Sequence, residues 1–246
     1  MLSIDFNCDV GEGIGNDEAI MPFISSANVA CGYHAGNEDT IRETVELAVN
    51  NNVAVGAHPS FFDMENFGRT EMNLSRGEIY DLVILQLRII DKIIRKSKSK
   101  LHHVKPHGAL YNMSAKDPAI AKTIAEAVKD FDDNLILFGL SGSCSVTEAS
   151  KIGLRTANEV FADRTYQDDG SLTPRSQKNA LIENVDKAID QVLQIALDRT
   201  ITSVNGRKIL LSADTICIHG DGKSAIQFAS SIYQKLRQNH IDIKAI

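Results

Sequence analysis

The segment HVKPHGALY, His103 to Tyr111, places a lysine and a histidine two residues apart where an apolar strand gives way to a loop. A lysine ammonium can stabilise negative charge, and an imidazole can move protons near neutral pH. Lys105 and His107 could therefore act on a substrate that develops negative charge as it reacts. The alternative is an ordinary surface turn, and the positions of the other polar residues bear on the choice.

Polar residues also follow the other predicted strands. Seven short apolar runs have the composition of strands: Leu2–Phe6, Asn28–Cys31, Val53–Ala57, His102–Lys105, Leu135–Gly139, Arg155–Val160 and Thr215–Ile218. Four histidines lie at the carboxyl ends of these runs: His34, His58, His107 and His219. Because the carboxyl ends of parallel strands form the functional face of α/β folds, Lys105 and His107 are predicted to face a common pocket.

Helical patterns separate the strands. Ser75–Glu78 is a capping box, and Asp117-Pro118 combines an N-cap with a proline at the first helical position. Alternating strands and helices over 246 residues predict an α/β fold with a parallel sheet, open or closed. A (β/α) barrel of about seven or eight parallel strands, formed by residues 1–246 as a single domain, fits the count. Asn205-Gly206, between two short β-like runs, predicts a β-hairpin excursion near residues 201–211.

Composition narrows the class of protein. With 43% hydrophobic residues, 24% charged residues and a net charge of −6, the chain has the profile of a globular protein without the basic face that nucleic acids or anionic membranes require. No signal peptide or long apolar run is visible, so we expect no membrane span. Four widely spaced cysteines without a CxxC pair indicate reduced thiols, and we expect a cytoplasmic protein.

Each candidate residue also has a structural explanation. A histidine at a strand end is often a hydrogen-bonded turn residue, and Lys105 could be the buried ion-pair partner of Asp9 or Glu12. Asp221 could cap the last helix. The occurrence of all these residues at one predicted face favours a common site.

Several long motifs resemble those of the LamB/YcsF family, the family of the 5-oxoprolinase A subunit. They run in order from Asp5 to Asp221 and are DFNCDVGEG, ISSANVACGYHAG, GAHPSFFD, FGRTEM, HVKPHGALYN, EVFADRTY and ADTICIHGD. The resemblance covers nearly the whole chain. It implies a barrel similar to those of glycoside hydrolases and deacetylases, often with seven strands.

The resemblance also implies an activity, the ATP-dependent opening of 5-oxo-L-proline to L-glutamate, in which the chain acts with separate B and C subunits. The sequence has no GxxxxGK[ST] phosphate loop. ATP, as Mg-ATP, is therefore expected either in another kind of site or mainly on the partner subunits.

Residue type and position then suggest roles. Asp9 and Glu12 are candidate bases, and Lys105 and Arg164 could stabilise negative charge. His58 and His107 could relay protons or protonate the leaving nitrogen. The predicted catalytic residues are thus Asp9, Glu12, His58, Lys105 and His107. The predicted substrate-binding residues are Asn7, His34, Glu159, Asp163, Arg164, His219 and Asp221.

Two alternatives remain open from the sequence. Asp9, His34, His58, His107 and His219 could bind a divalent metal, as in a deacetylase-like hydrolase, although they come from different strands and form no local HxxxH or HExxH pair. The chain could instead be a non-catalytic regulatory subunit, but such a protein has no need of a dense polar rim.

Overall fold

Seven parallel strands close into a barrel in the computed structural model, which describes residues 2–220 and 224–246. The strands of the chain are β1 (Ser3–Val10), β2 (Ser26–Ala30), β3 (Ala54–His58), β4 (His103–Val104), β5 (Ile136–Leu140), β6 (Arg155–Phe161), β7 (Thr200–Thr202), β8 (Lys208–Leu210), β9 (Thr215–His219) and β10 (Asp242–Ile243). The barrel order is β1-β2-β3-β4-β5-β6-β9, and β9 pairs again with β1. The predicted (β/α) barrel of seven parallel strands is confirmed.

Helices cover the outside of the barrel. They are α1 (Asp17–Ile20), α2 (Glu38–Asn50), α3 (Arg76–Lys96), α4 (Gly108–Lys116), α5 (Pro118–Phe131), α6 (Cys144–Lys151), α7 (Val185–Leu193) and α8 (Ala225–Gln238). The Ser75–Glu78 capping box opens α3, and Asp117 caps α5 ahead of Pro118. Among the helices of the described residues, none is both long and apolar enough to span a bilayer.

The main hydrophobic core lies between the barrel and the helices. Along β1, Phe6, Cys8 and Val10 belong to this core, whereas the alternate residues Asn7 and Asp9 face the barrel interior. Alternation of this kind follows from the two-residue period of a strand. The sequence had suggested that β1 ends at Phe6, but the strand continues to Val10. Asn7 and Asp9 are therefore strand residues, not loop residues.

Polar side chains fill most of the barrel interior. Asp5 accepts hydrogen bonds from Ser25 at 2.7 Å, Ser26 at 2.6 Å and Thr215 near the amino-terminal end. Asn28 and His103 lie one layer higher and are joined by a 2.8 Å hydrogen bond. A separate apolar group, Ile136, Phe138 and Ala157, adjoins them, and Phe138 stacks on the His103 ring. A polar interior of this kind requires that each group be paired.

Gly56 is needed where β3 passes this interior. A Cβ atom at residue 56 would lie 2.1 Å from Nε2 of His103. Only a residue without a side chain allows the imidazole to occupy the centre of the barrel.

Two short elements lie outside the barrel. β7 and β8 pair antiparallel across the Asn205-Gly206 turn, with Thr200 opposite Leu210. β10 adds to β1 at the amino-terminal end, where Ser3 pairs with Asp242.

Candidate functional site

A cavity of about 690 Å³ opens at the carboxyl ends of the barrel strands. Seven residues predicted for the site line it: Asp9, Glu12, His58, Lys105, His107, Arg164 and His219. They come from β1, β3, β9 and the segments after β1, β4 and β6. The common pocket expected from the positions of polar residues at strand ends is thus present, and HVKPHGALY forms part of its wall.

Lys105 forms the floor of the cavity. Its Nζ atom lies 2.8 Å from Oδ1 of Asp9, 3.0 Å from Oε1 of Glu159 and 3.0 Å from Sγ of Cys217. An ammonium has three donors, so these contacts use all of them. The side chain is only 2% exposed. Burial opposes its charge, but Asp9 raises the pKa of Lys105 well above its usual range.

Asp9 is held as a carboxylate by its neighbours. Oδ1 also accepts a 2.8 Å hydrogen bond from Asn28, and Oδ2 lies 3.3 Å from Nε2 of His58. Burial opposes ionisation, but His58 and Lys105 lower the pKa of Asp9 well below its usual range. Oδ1 is thus occupied, and Oδ2 is the oxygen on the histidine side.

Asn7 and Glu159 lie behind the floor of the cavity and are not among its lining residues. Asn7 donates to Glu159 at 3.0 Å and to Thr215 at 2.6 Å, and it accepts from Asn28 at 2.8 Å. Both residues are fully buried. Their predicted role as substrate contacts is corrected by this placement: as inward strand residues, they support Lys105 from below.

Three histidines and Glu12 converge on one side of the cavity. Nδ1 of His107 lies 2.9 Å from Nε2 of His58 and 3.6 Å from Oε1 of Glu12. Nε2 of His34 lies 3.3 Å from the same Glu12 oxygen. One donor atom from each of the four residues lies within 4.8 Å of those of the others. Among the described residues, these four are the group that could hold a metal ion.

The histidine rings are fixed by their surroundings. His34 and His107 stack with ring centroids 3.8 Å apart. Gly68, in the left-handed region with φ of 67°, packs against both, because an added Cβ would lie 2.8 Å from His34 and 2.9 Å from His107. Burial lowers the pKa of His34 to about 3 and that of His107 well below its usual range. His34 was predicted to bind substrate, but it is buried behind His107 and does not line the cavity.

His219 is separate from this cluster. Its Nδ1 atom lies 2.9 Å from Oδ2 of Asp163, and its ring stacks on Phe161. Burial opposes ionisation, but His219 lowers the pKa of Asp163. His219 lines the cavity, whereas Asp163 stands behind it. His219 and Asp9, which the sequence placed in the same candidate metal-ligand set, are not in the group of four described residues whose donor atoms lie within 4.8 Å of one another. Asp221 lies outside the described residues.

Arg164 lines the cavity but is also a structural residue. It donates to the carbonyl of Thr173 at 2.7 Å and to that of Ala180 at 3.2 Å, which ties down the segment between them. Burial lowers the pKa of Arg164 to about 10. Its predicted contact with a substrate and this bracing of the cavity wall are compatible.

Sequence reasoning missed several cavity residues. Arg69, Lys116 and Arg175 add positive charge to the lining. Tyr111 also lines the cavity, and its hydroxyl is buried. Tyr111 and Arg69 lie in the motifs HVKPHGALYN and FGRTEM, which could have identified them. Lys116 and Arg175 have no such signal, because helix α4 and the loop before α7 bring them to the cavity.

Comparisons with known sequences agree over the full chain. Residues 4–246 match the model of the LamB/YcsF family. A protein of Staphylococcus haemolyticus (strain JCSC1435), named as the A subunit of 5-oxoprolinase, is 49% identical over 250 residues, which cover 100% of both chains. A Bacillus cereus (strain 03BB102) protein of the same name is 49% identical over 251 residues, which cover 100% of this chain and 99% of the relative.

Solved structures include one similar in both sequence and fold and others similar in fold alone. The crystal structure of a lactam utilization protein from Thermus thermophilus has a TM-score of 0.94 and 39% identity, covering 100% of each chain. A family 4 carbohydrate esterase from Streptomyces lividans has a TM-score of 0.55 and 10% identity, covering 99% of this chain and 92% of the esterase. At such low identity, the esterase shares the fold alone.

Proposed function

Because the chain belongs to the LamB/YcsF family, we propose that it is the A subunit of a 5-oxoprolinase that cleaves 5-oxo-L-proline to L-glutamate with hydrolysis of ATP. Relatives that are 49% identical over their full length are named as this component of 5-oxoprolinase. The Thermus thermophilus protein of the same shape is named for lactam utilization. Both names fit a chain that acts on a cyclic amide.

The observation that carries the proposal is the Asp9–Lys105 pair on the floor of the cavity. Lys105 keeps Asp9 ionised, and Oδ2 of Asp9 remains on the cavity side as a proton acceptor. A positioned carboxylate that takes a proton from water is what attack on a lactam carbon requires. We therefore assign the base to Asp9. Lys105 acts as its positioning residue, because its donors are all directed to protein groups.

A lactam is a stable amide and needs activation. Phosphorylation of its amide oxygen makes the ring carbon electrophilic. Water then adds to that carbon, the ring C–N bond breaks, and nitrogen takes up a proton. Hydrolysis of the resulting acyl phosphate gives L-glutamate and phosphate. The sequence has no GxxxxGK[ST] loop. We therefore place phosphorylation by Mg-ATP mainly on the proposed B and C partner subunits.

His219 is suited to protonate the leaving nitrogen. Asp163 holds its Nδ1 atom at 2.9 Å, which orients the ring and leaves Nε2 to exchange a proton. His58 and His107, the proton relays suggested by the sequence, instead face each other at 2.9 Å. We move the acid role to His219 for this reason.

Basic side chains on the cavity wall suit an anionic substrate, and they stand beside the carboxylates of Asp9, Glu12, Glu71 and Asp169. Arg69, Arg164 and Arg175 line the cavity together with Lys116. 5-Oxo-L-proline carries a carboxylate, and its phosphorylated form carries more negative charge. Guanidinium groups bind carboxylate and phosphate through paired hydrogen bonds. This lining also favours a catalytic role over the regulatory alternative.

The test is 5-oxoproline-dependent phosphate release by the chain alone and by the chain with its B and C partners. We expect little turnover alone and robust turnover in the complex. Asp9→Asn should lower turnover of the assembled complex about 100-fold or more, the range for loss of a general base. The matched control is Asp39→Asn, which changes an exposed carboxylate on α2. Robust turnover without partners, or normal turnover with Asp9→Asn, would contradict the proposal.

A further inference from the structure

His58 and His107 each turn one ring nitrogen toward the other ring. Nδ1 of His58 lies 2.7 Å from the carbonyl of Lys105, and Nε2 of His107 lies 2.9 Å from the carbonyl of Phe67. A carbonyl only accepts hydrogen bonds, so each of these nitrogens carries a proton. When neither ring holds a second proton, Nε2 of His58 and Nδ1 of His107 present lone pairs to each other across 2.9 Å.

The proton of His34 is also placed by a hydrogen bond, in this case to a hydroxyl group. Its Nδ1 atom lies 2.9 Å from Oγ of Ser60, and that hydroxyl donates its one proton to the carbonyl of Phe61. Ser60 therefore accepts from Nδ1 of His34, and Nε2 carries the lone pair. The backbone of Ser60 is itself held by both polar atoms of the buried Gln86 amide. The ring is thus oriented through a chain of buried hydrogen bonds.

Three nitrogen lone pairs, one from each ring, accordingly converge beside Oε1 of Glu12. Lone pairs that face one another at these distances repel unless a cation lies between them. We propose that His34, His58, His107 and Glu12 form a binding site for a divalent transition-metal ion of the Zn²⁺ type. The inference concerns metal binding by this chain and is independent of the proposed lactam cleavage.

The ligand chemistry selects the class of ion. Imidazole nitrogens suit Zn²⁺ and its transition-metal neighbours, whereas Mg²⁺ and Ca²⁺ take oxygen ligands. Bonds of about 2.1 Å place neighbouring ligand atoms roughly 3.0 to 3.4 Å apart in octahedral or tetrahedral sites. The separations of 2.9, 3.3 and 3.6 Å lie close to that range. Each outer ring nitrogen has the backbone or hydroxyl partner typical of a metal-bound histidine.

The site borders the cavity. His58, His107 and Glu12 line it, while His34 closes the site from behind. A bound ion would therefore keep a face open toward the cavity, the arrangement of catalytic and not structural metal sites. Asp9 lies beside the cluster, with Oδ2 3.3 Å from Nε2 of His58.

The experiment uses the tag-free full-length chain, stripped with a chelator and titrated with Zn²⁺, Co²⁺ or Mg²⁺. Calorimetry gives stoichiometry and affinity, and visible absorption reports coordinated Co²⁺. We expect about one Zn²⁺ or Co²⁺ per chain and no Mg²⁺ binding. Nitrogen NMR of the imidazoles should show Zn²⁺ shifting Nε2 of His34, Nε2 of His58 and Nδ1 of His107, which tests the ligands without any substitution.

Two variants test the ligands further. His107→Asn and Glu12→Gln should each weaken Zn²⁺ binding at least about 10-fold, while His240→Asn, at an exposed histidine, should bind normally. His219→Asn should also bind normally, because His219 is not one of the four grouped residues. Circular dichroism confirms folding. No saturable binding of Zn²⁺ or Co²⁺, or unchanged binding in both ligand variants, would overturn the inference and leave a shared proton as the bridging cation.

Discussion

At the scale of single residues, neighbouring charges determine whether each side chain in this site is ionised. Lys105 lies between two carboxylates, those of Asp9 and Glu159, so one cation offsets two buried anions at the floor of the cavity. The sequence left open whether Lys105 acts near the reacting centre or as a buried ion-pair partner. The structure gives it the ion pair with Asp9, as suggested, but places Glu159 and not Glu12 as the second partner.

Removing the Lys105 charge should therefore destabilise the fold. Lys105→Met keeps most of the aliphatic stem and leaves Asp9 and Glu159 buried without their cation. We expect the free energy of unfolding to fall by about 3 to 5 kcal/mol, the cost of breaking a buried ion pair from one side. Denaturant unfolding at pH 7 measures it. Lys116→Met, at an exposed lysine, should change stability by less than about 0.5 kcal/mol. Equal stability of the two variants would refute the structural role of Lys105.

Asp5 gives a prediction about pH. Burial raises the pKa of Asp5 to about 6, despite hydrogen bonds from Ser26, Thr215 and Ser25 that lower it. Between about pH 4 and pH 6 the folded protein then holds a proton that the unfolded chain has released. The contribution of Asp5 to the free energy of unfolding should fall as the pH rises, by roughly 2 kcal/mol between pH 4 and pH 6, and level off above about pH 7.

The comparison for this prediction is Asp5→Asn, which cannot titrate. The difference in unfolding free energy between the native chain and the variant should decline from pH 4 to pH 6. Urea unfolding at pH 4, 5, 6 and 7 provides the measurement. A difference that rises over the same interval would mean that the folded protein favours ionised Asp5.

At the scale of elements, the sequence predicts a strand correctly where the residues facing the barrel interior are apolar. β5, with Ile136 and Phe138, was placed within one residue of its observed start and end, because apolar composition marks both faces. β1 was cut short at Phe6, because Asn7 and Asp9 have the composition of a loop. Their partners are Lys105, directly after β4, and Glu159 on β6, far away in the sequence. No local pattern shows that these polar groups pair inside a barrel.

Gly56 and Gly77 form a matched pair that tests the packing of one strand. Gly56→Ala would drive a methyl group into the His103 ring, which is fixed by Asn28. We expect a loss of roughly 1 to 3 kcal/mol, the usual cost of overpacking. Gly77 lies near the start of α3, where an added Cβ meets no atom within 4 Å. Gly77→Ala should raise stability by about 0.5 to 1 kcal/mol. Thermal unfolding of both variants checks the contrast, and a stabilising Gly56→Ala would contradict it.

At the scale of the molecule, stability should be graded from the barrel outward. β1 is paired on both sides, by β2 and β9, whereas β7 and β8 pair only with each other. Leu210 at the end of β8 is 82% exposed. Amides of β1 should therefore exchange with solvent only on global unfolding, and those of β8 through local opening. Hydrogen exchange followed by mass spectrometry measures this order. Equal protection of β1 and β8 would show that the hairpin unfolds together with the barrel.

The closure of β1 on β9 has a consequence for how the protein is made. Asp5 pairs with Thr215 and Asp9 with His219, so each closing contact joins residues 210 positions apart. Such distant contacts slow folding, because a long loop must close before they form. On the ribosome, β1 leaves the exit tunnel about 210 residues before its second neighbour β9. During that time its edge and its acidic residues lack their partners, and an unpaired strand edge is exposed to aggregation.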